Sequence, residues 1–110
     1  QAMIVYNVTV HVQEQVENAW LDYMLGEHLA DVLATGCFLD ARLSKLLLDE
    51  PQGGITYSVQ YTAHDQESLE RYQNEFAAKL QADHVARFGE QCLAFRTSMQ
   101  VIAHIPASNP

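Results

Sequence analysis

Gly53–Ala63 reads GGITYSVQYTA, and its alternation decides the fold. Ile55, Tyr57, Val59 and Tyr61 fall on one side, with Thr56, Ser58, Gln60 and Thr62 on the other. A period of two, carried by β-branched and aromatic residues, predicts a strand with one apolar and one polar face. The Pro51-Gln52-Gly53-Gly54 stretch just before it predicts a tight reversal from a preceding strand. The segment therefore reads as a central strand fed by a hairpin.

Working outward, the stretch before the turn, 37–49 (CFLDARLSKLLLD), sets Leu39, Ala41 and Leu43 against Asp40, Arg42 and Ser44. It predicts another strand, with a bulge near Lys45–Leu48 where the leucine run blurs the phase. At the start of the chain, 3–12 (MIVYNVTVHV) alternates in the same way and predicts a first strand. Between them the period becomes helical over 14–34: Trp20, Leu21, Met24, Leu25, His28, Leu29 and Val32 share one broad face, and Gly36 caps the end. After the central strand, Asp65 is an N-cap residue, and Leu69, Tyr72, Phe76 and Leu80 recur at helical spacing in a helix ending at Gly89. A last strand over 92–103 (CLAFRTSMQVIA) is read with Leu93, Phe95, Thr97, Met99 and Val101 inward and Ala94, Arg96, Ser98 and Gln100 outward. The order βαββαβ is the ferredoxin-like α+β arrangement, a four-stranded antiparallel sheet with both helices on one face. The first and third strands lie at its centre. One domain is expected over 3–103, with a flexible tail over 104–110.

Composition narrows the function. At 110 residues the chain is the length of one core, and 48% hydrophobic with 18% charged residues describes a globular protein rather than a disordered one. A formal charge of −8 with six scattered Lys and Arg argues against nucleic acid. No stretch approaches the roughly 20 apolar residues of a membrane helix and no signal segment is legible, so no membrane partner is expected and the cytoplasm is the expected location. Gln1-Ala2 reads as a cloning remnant ahead of Met3. Cys37 and Cys92 lack metal or redox spacing and fall on opposite edge strands, so buried free thiols are expected. Neither HExxH, HxH, GxGxxG nor a P-loop occurs; no metal or cofactor is expected.

MIVYNVTV, WLDYM followed by EHLADVLATGCF, GGITYSVQY and HVARFGEQCLAFRT together resemble a family of small bacterial proteins classed as a domain of unknown function. The resemblance spans Met3 to about Val101. Where that family often has HIP, this chain has His28-Leu29-Ala30. The strand order resembles the dimeric α/β-barrel superfamily, which includes cofactor-free monooxygenases, haem-degrading enzymes, isomerases and amino-acid-sensing regulatory domains. The resemblance thus implies a homodimer, and either a small-ligand-binding or regulatory module or a cofactor-free enzyme. A purely structural interaction domain is the third reading.

Two groups of residues are candidates for that function. On the helix side, Trp20, Met24 and His28 face the phenols of Tyr6, Tyr57 and Tyr61, with His84 and Arg87 farther along the second helix. They read either as a packed core or as a pocket for a flat ligand, with His28 the candidate acid or base. Arg87 is a candidate to hold an acidic group at its mouth. A haem-degrading relative would need an axial histidine near the second helix, a place His84 could fill, and nothing else marks a haem pocket. On the polar side, Asn7, His11, Asp40, Arg42, Ser58, Gln60 and Arg96 form a face with few charges. A second subunit enclosing it would make a barrel lumen crossed by hydrogen bonds and ion pairs, with simple exposure as the alternative.

Overall fold

The computed structural model describes residues 2–108. Gln1, in the expected remnant, and Asn109 and Pro110, in the expected tail, lie outside them. Four strands, β1 (Ile4–Val12), β2 (Asp40–Lys45), β3 (Ile55–Ala63) and β4 (Cys92–Gln100), form one antiparallel sheet in the order β2-β3-β1-β4. Residues 55–63 of the GGITYSVQYTA stretch form β3, central as expected. Tyr57, Val59, Tyr61 and Ala63 are all buried, while Thr56, Ser58, Gln60 and Thr62 are half-exposed on the other face.

The helical layer is α1 (Glu17–Tyr23), a π-helical turn over Met24–His28, α2 (Leu29–Leu33), α3 (Gln66–Glu75) and α4 (Ala77–Phe88). Asp65 caps α3, its Oδ1 accepting from the Ser68 amide and hydroxyl at 2.8 Å each. The single second helix expected from the sequence is broken at Phe76, where φ is −127° and ψ −32°. The break lets α3 bury Leu69 and Tyr72 while α4 turns Ala77, Leu80, His84 and Phe88 onto the core. Cys37 and Cys92 are buried free thiols. Among the described residues no helix is long and apolar enough to cross a membrane.

Three expectations need correction. The connection into β3 is not a tight hairpin and β2 has no bulge: pairing stops soon after Lys45, and 46–54 loop out, with a turn closed by the Gly53 amide on the Glu50 carbonyl at 2.9 Å. Leu47 and Leu48 are exposed there. The first helix does not hold one α-helical phase, because the π turn inserts a residue; Leu25 is 66% exposed and Tyr23 takes the buried place. Most consequentially, β4 has the opposite phase. Cys92, Ala94 and Arg96 pair opposite Val12, Val10 and Val8 and share their helix-facing side. Leu93, Phe95 and Met99 instead lie on the open face. Alternation reveals that an edge strand has two faces; only the register of pairing decides which one is inward.

Candidate functional site

The helix-facing sides of β1 and β3 bring Tyr6 and Tyr61 together, and α3 adds Tyr72 above them. With Phe38 these rings form one cluster: Phe38 lies 4.8 Å from Tyr72 and 5.2 Å from Tyr61, centroid to centroid, and 6.1 Å from Tyr6. At its inner end a cavity of about 30 Å³ remains, bounded by the π turn, α3, α4 and the sheet. Its apolar wall is Val8, Val10, Val59, Met24 and Ala94; its polar wall is Tyr6, Tyr61, Tyr72, His28, His84, Gln81 and Arg96. As it stands it has room for about one or two waters. Wider hollows elsewhere are surface depressions; one of about 500 Å³ beside Asp65, Glu67 and Glu70 gathers none of the histidines or phenols.

The two histidines differ chemically. His84 is 8% exposed and accepts a hydrogen bond on Nε2 from the Trp20 indole Nε1 at 2.9 Å. An indole only donates, so that nitrogen is unprotonated and the His84 proton sits on Nδ1. Burial, then the neighbouring His28 and Arg96, push its pKa down to about 4. His28 is half-buried, its Nδ1 3.3 Å from the Tyr23 hydroxyl and its ring 6.2 Å from that of His84. The π turn makes this possible, since residues five apart stack over a π-helical turn. Burial lowers the His28 pKa, with Asp31 and Asp83 opposing. Both rings are therefore neutral at pH 7. Burial raises the phenols of Tyr6, Tyr61 and Tyr72, with Arg96 opposing in each case. They remain protonated donors.

The structure brings some of the sequence candidates together and separates others. Tyr6, Tyr61, Met24, His28 and His84 line the cavity. Trp20 stands behind His84, and Tyr57 stands behind Trp20 with ring centroids 4.8 Å apart. The Tyr57 hydroxyl donates to Glu17 at 2.5 Å, and burial with that carboxylate pushes its pKa up to about 12. Arg87 does not reach the cavity: it stacks 4.6 Å over Tyr23 and pairs with Glu27 at 3.1 Å on the outside. Arg96 moves the other way, from the expected lumen to the cavity, because of the reversed β4 phase. Tyr72, Gln81 and Ala94 line the site without having been candidates from the sequence, and Arg96 was a candidate for the opposite face. A usable signal lay in Cys92 and Ala94, small residues suited to the inward side of a strand that is crowded by a helix layer.

On the open face, Asn7 links three strands. It accepts from the Ser58 hydroxyl at 2.6 Å and donates to Thr97 at 3.3 Å and Thr9 at 3.0 Å. His11 sits 3.2 Å from both Thr56 and Glu50. Asp40, Arg42 and Gln60 lie on β2 and β3 of that face, with no ion pair between Asp40 and Arg42 among the described residues.

This architecture is that of the ferredoxin-like α+β proteins. The chain belongs to the family described as a domain of unknown function, DUF4286, whose model matches residues 3–102. No curated protein matches it in sequence. Among solved structures it is similar to a dimeric ferredoxin-like protein from an uncultured marine organism, with TM-score 0.74 and 10% identity over 96% of this chain and 100% of the other. It is also similar to SnoaB, a cofactor-independent oxygenase from Streptomyces nogalater, with TM-score 0.67 and 11% identity over 96% and 98%. A dimeric ferredoxin-like protein of unknown function from Thermobifida fusca gives TM-score 0.55 and 14% identity over 92% of each chain. At these identities the likeness is one of fold.

Proposed function

We propose that this chain is a small-ligand-binding module that works as a homodimer in the bacterial cytoplasm. Residues 3–103 act as one domain, and 104–110 as its tail. The observation that carries the reading is the convergence of three phenols, two neutral histidines and Arg96 on a single cavity between helices and sheet. A packed core needs none of these polar groups, whereas a ligand site uses a few convergent polar groups in an apolar wall. The ligand enters by moving the π turn or the α3–α4 pair, since the present volume admits only water-sized molecules. The homodimer is supported by the open face, where Leu93, Phe95 and Met99 are 60%, 63% and 42% exposed beside the Asn7 seam, and by the dimeric description of two similar structures.

The test fills the cavity. Ala94→Phe places a ring among the lining residues. Neutral aromatic fragments such as phenol and benzamide should shift the Met24 methyl resonance in the natural protein and leave it unchanged in a folded Ala94→Phe variant. Equal shifts in both proteins overturn the pocket. A second reading, a cofactor-free enzyme, is favoured by one observation: His28 borders the cavity with a lowered pKa, a neutral imidazole able to accept a proton at pH 7. SnoaB, of similar fold, is a cofactor-independent oxygenase. Under that reading a folded His28→Ala variant retains fragment binding and loses turnover of an aromatic substrate panel.

A further inference from the structure

Four of the six Lys and Arg side chains of this acidic chain are spent on carboxylates. Lys45 is 3.8 Å from Glu17, Arg71 3.7 Å from Glu75, Lys79 3.6 Å from Asp83 and Arg87 3.1 Å from Glu27. Among the described residues only Arg42 and Arg96 have no such partner, and only Arg96 borders the cavity. No Asp or Glu lines that cavity among the described residues. With 14 carboxylates in 110 residues, a carboxylate-free hollow beside an unpaired guanidinium is a selective arrangement. The other polar groups there can each donate as well: three protonated phenols, the Gln81 amide and the neutral imidazoles of His28 and His84, the latter with its Nε2 already occupied by Trp20.

From this we infer that the site takes the carboxylate head of a small organic acid, with Arg96 as its anchor and the phenols of Tyr6, Tyr61 and Tyr72 as further donors. The inference rests on the pocket reading above and names its ligand class. A planar guanidinium matches a planar carboxylate through two parallel hydrogen bonds. One cation, with no second one beside it, suits a monoanion rather than a phosphate dianion. Arg96 is itself exposed at the rim, so the head bridges it and the buried phenols only once the π turn or the α3–α4 pair moves to open the cavity. Burial has pushed the phenols up, so none of them becomes a repelling phenolate near pH 7, and it has pushed His84 down, so that ring adds no second cation there.

Benzoate and benzamide have nearly the same shape and differ in charge, which isolates the point. Trp20 is the only tryptophan and donates to His84 at the cavity wall, so its fluorescence reports occupancy. Titrated at pH 7, benzoate should bind about tenfold or more tighter than benzamide, the scale of one charge-assisted pair. Arg96→Gln should abolish the preference, Arg96→Lys should retain part of it, and Arg42→Gln on the open face should leave it intact. Benzamide binding as well as benzoate, or a preference that survives Arg96→Gln, overturns the inference and leaves the pocket standing. If neither probe binds the natural protein, both the ligand class and the pocket fall.

Discussion

Gly54 shows how closely single residues are held. Its φ is +81°, and a Cβ there would lie 2.5 Å from His11 Nε2 and 2.9 Å from the Val12 carbonyl oxygen. Gly53 has a similar φ of +83° with nothing within 4 Å of its Cβ position. Gly54→Ala should therefore cost about 2–3 kcal/mol, strain and clash together, and Gly53→Ala only about 1 kcal/mol of strain. Thermal melts of the two variants check the difference; equal losses would mean that the His11 contact yields freely. At His84 the issue is charge. Its folded pKa of about 4 lies below the ordinary 6.5, so the unfolded chain binds the proton first. Stability is fully present above pH 6.5 and falls as pH drops towards 4, by roughly 2–3 kcal/mol. His28, also held down by burial, adds to the same slope. Urea midpoints between pH 7.5 and 4.5 should fall less steeply in a His84→Gln variant than in the natural chain.

At the scale of the element, the break at Phe76 and the π turn over Met24–His28 decide what the helices offer. Without the inserted residue, the face running from Trp20 would drift away from the sheet. With it, Met24 and Val32 are both buried and His28 rests against Tyr23. Gly26 sits in this turn, yet nothing lies within 4 Å of a Cβ placed on it. Its role is conformational freedom, not close approach. Gly26→Ala should thus raise stability by about 0.5–1 kcal/mol, visible as a higher Tm. If the same variant also weakens fragment binding, flexing of the π turn admits the ligand. A lower Tm would show that alanine does not suit the π-helical backbone.

On the scale of the whole molecule, the reversed phase of β4 changes the character of the open face. Leu93, Phe95 and Met99 place an apolar strip along its edge strand, beside the polar seam through Asn7. Leu47, Ile102 and Ile105, in the segments that follow β2 and β4, are also 95%, 85% and 87% exposed. Apolar area of this kind on one side of a half-covered sheet is the mark of a contact surface. Light scattering at micromolar concentration should return twice the mass of the chain, and Phe95→Glu should return a monomer with its circular dichroism unchanged. A monomeric natural protein would remove the proposed homodimer while leaving the cavity side intact.

What the sequence by itself determined was the element order, the central place of GGITYSVQYTA, the Asp65 cap and the acidic character of the chain, all of which follow from local periodicity and composition. Most of the helix-side cluster was also legible, because Tyr6, Tyr61, Met24 and His28 sit at the inward phase of strongly periodic segments. The tertiary structure alone decided which way β4 faces, and so delivered Arg96 to the cavity and Phe95 to the open face. A strand's side-chain period is two, and shifting its phase by one residue exchanges its faces. Nothing local in CLAFRTSMQ selects between them until Cys92 pairs with Val12. In the same way the π turn, the break at Phe76 and the Trp20–His84 bond exist because packed layers settle helical phase over long distances, beyond the reach of any local pattern.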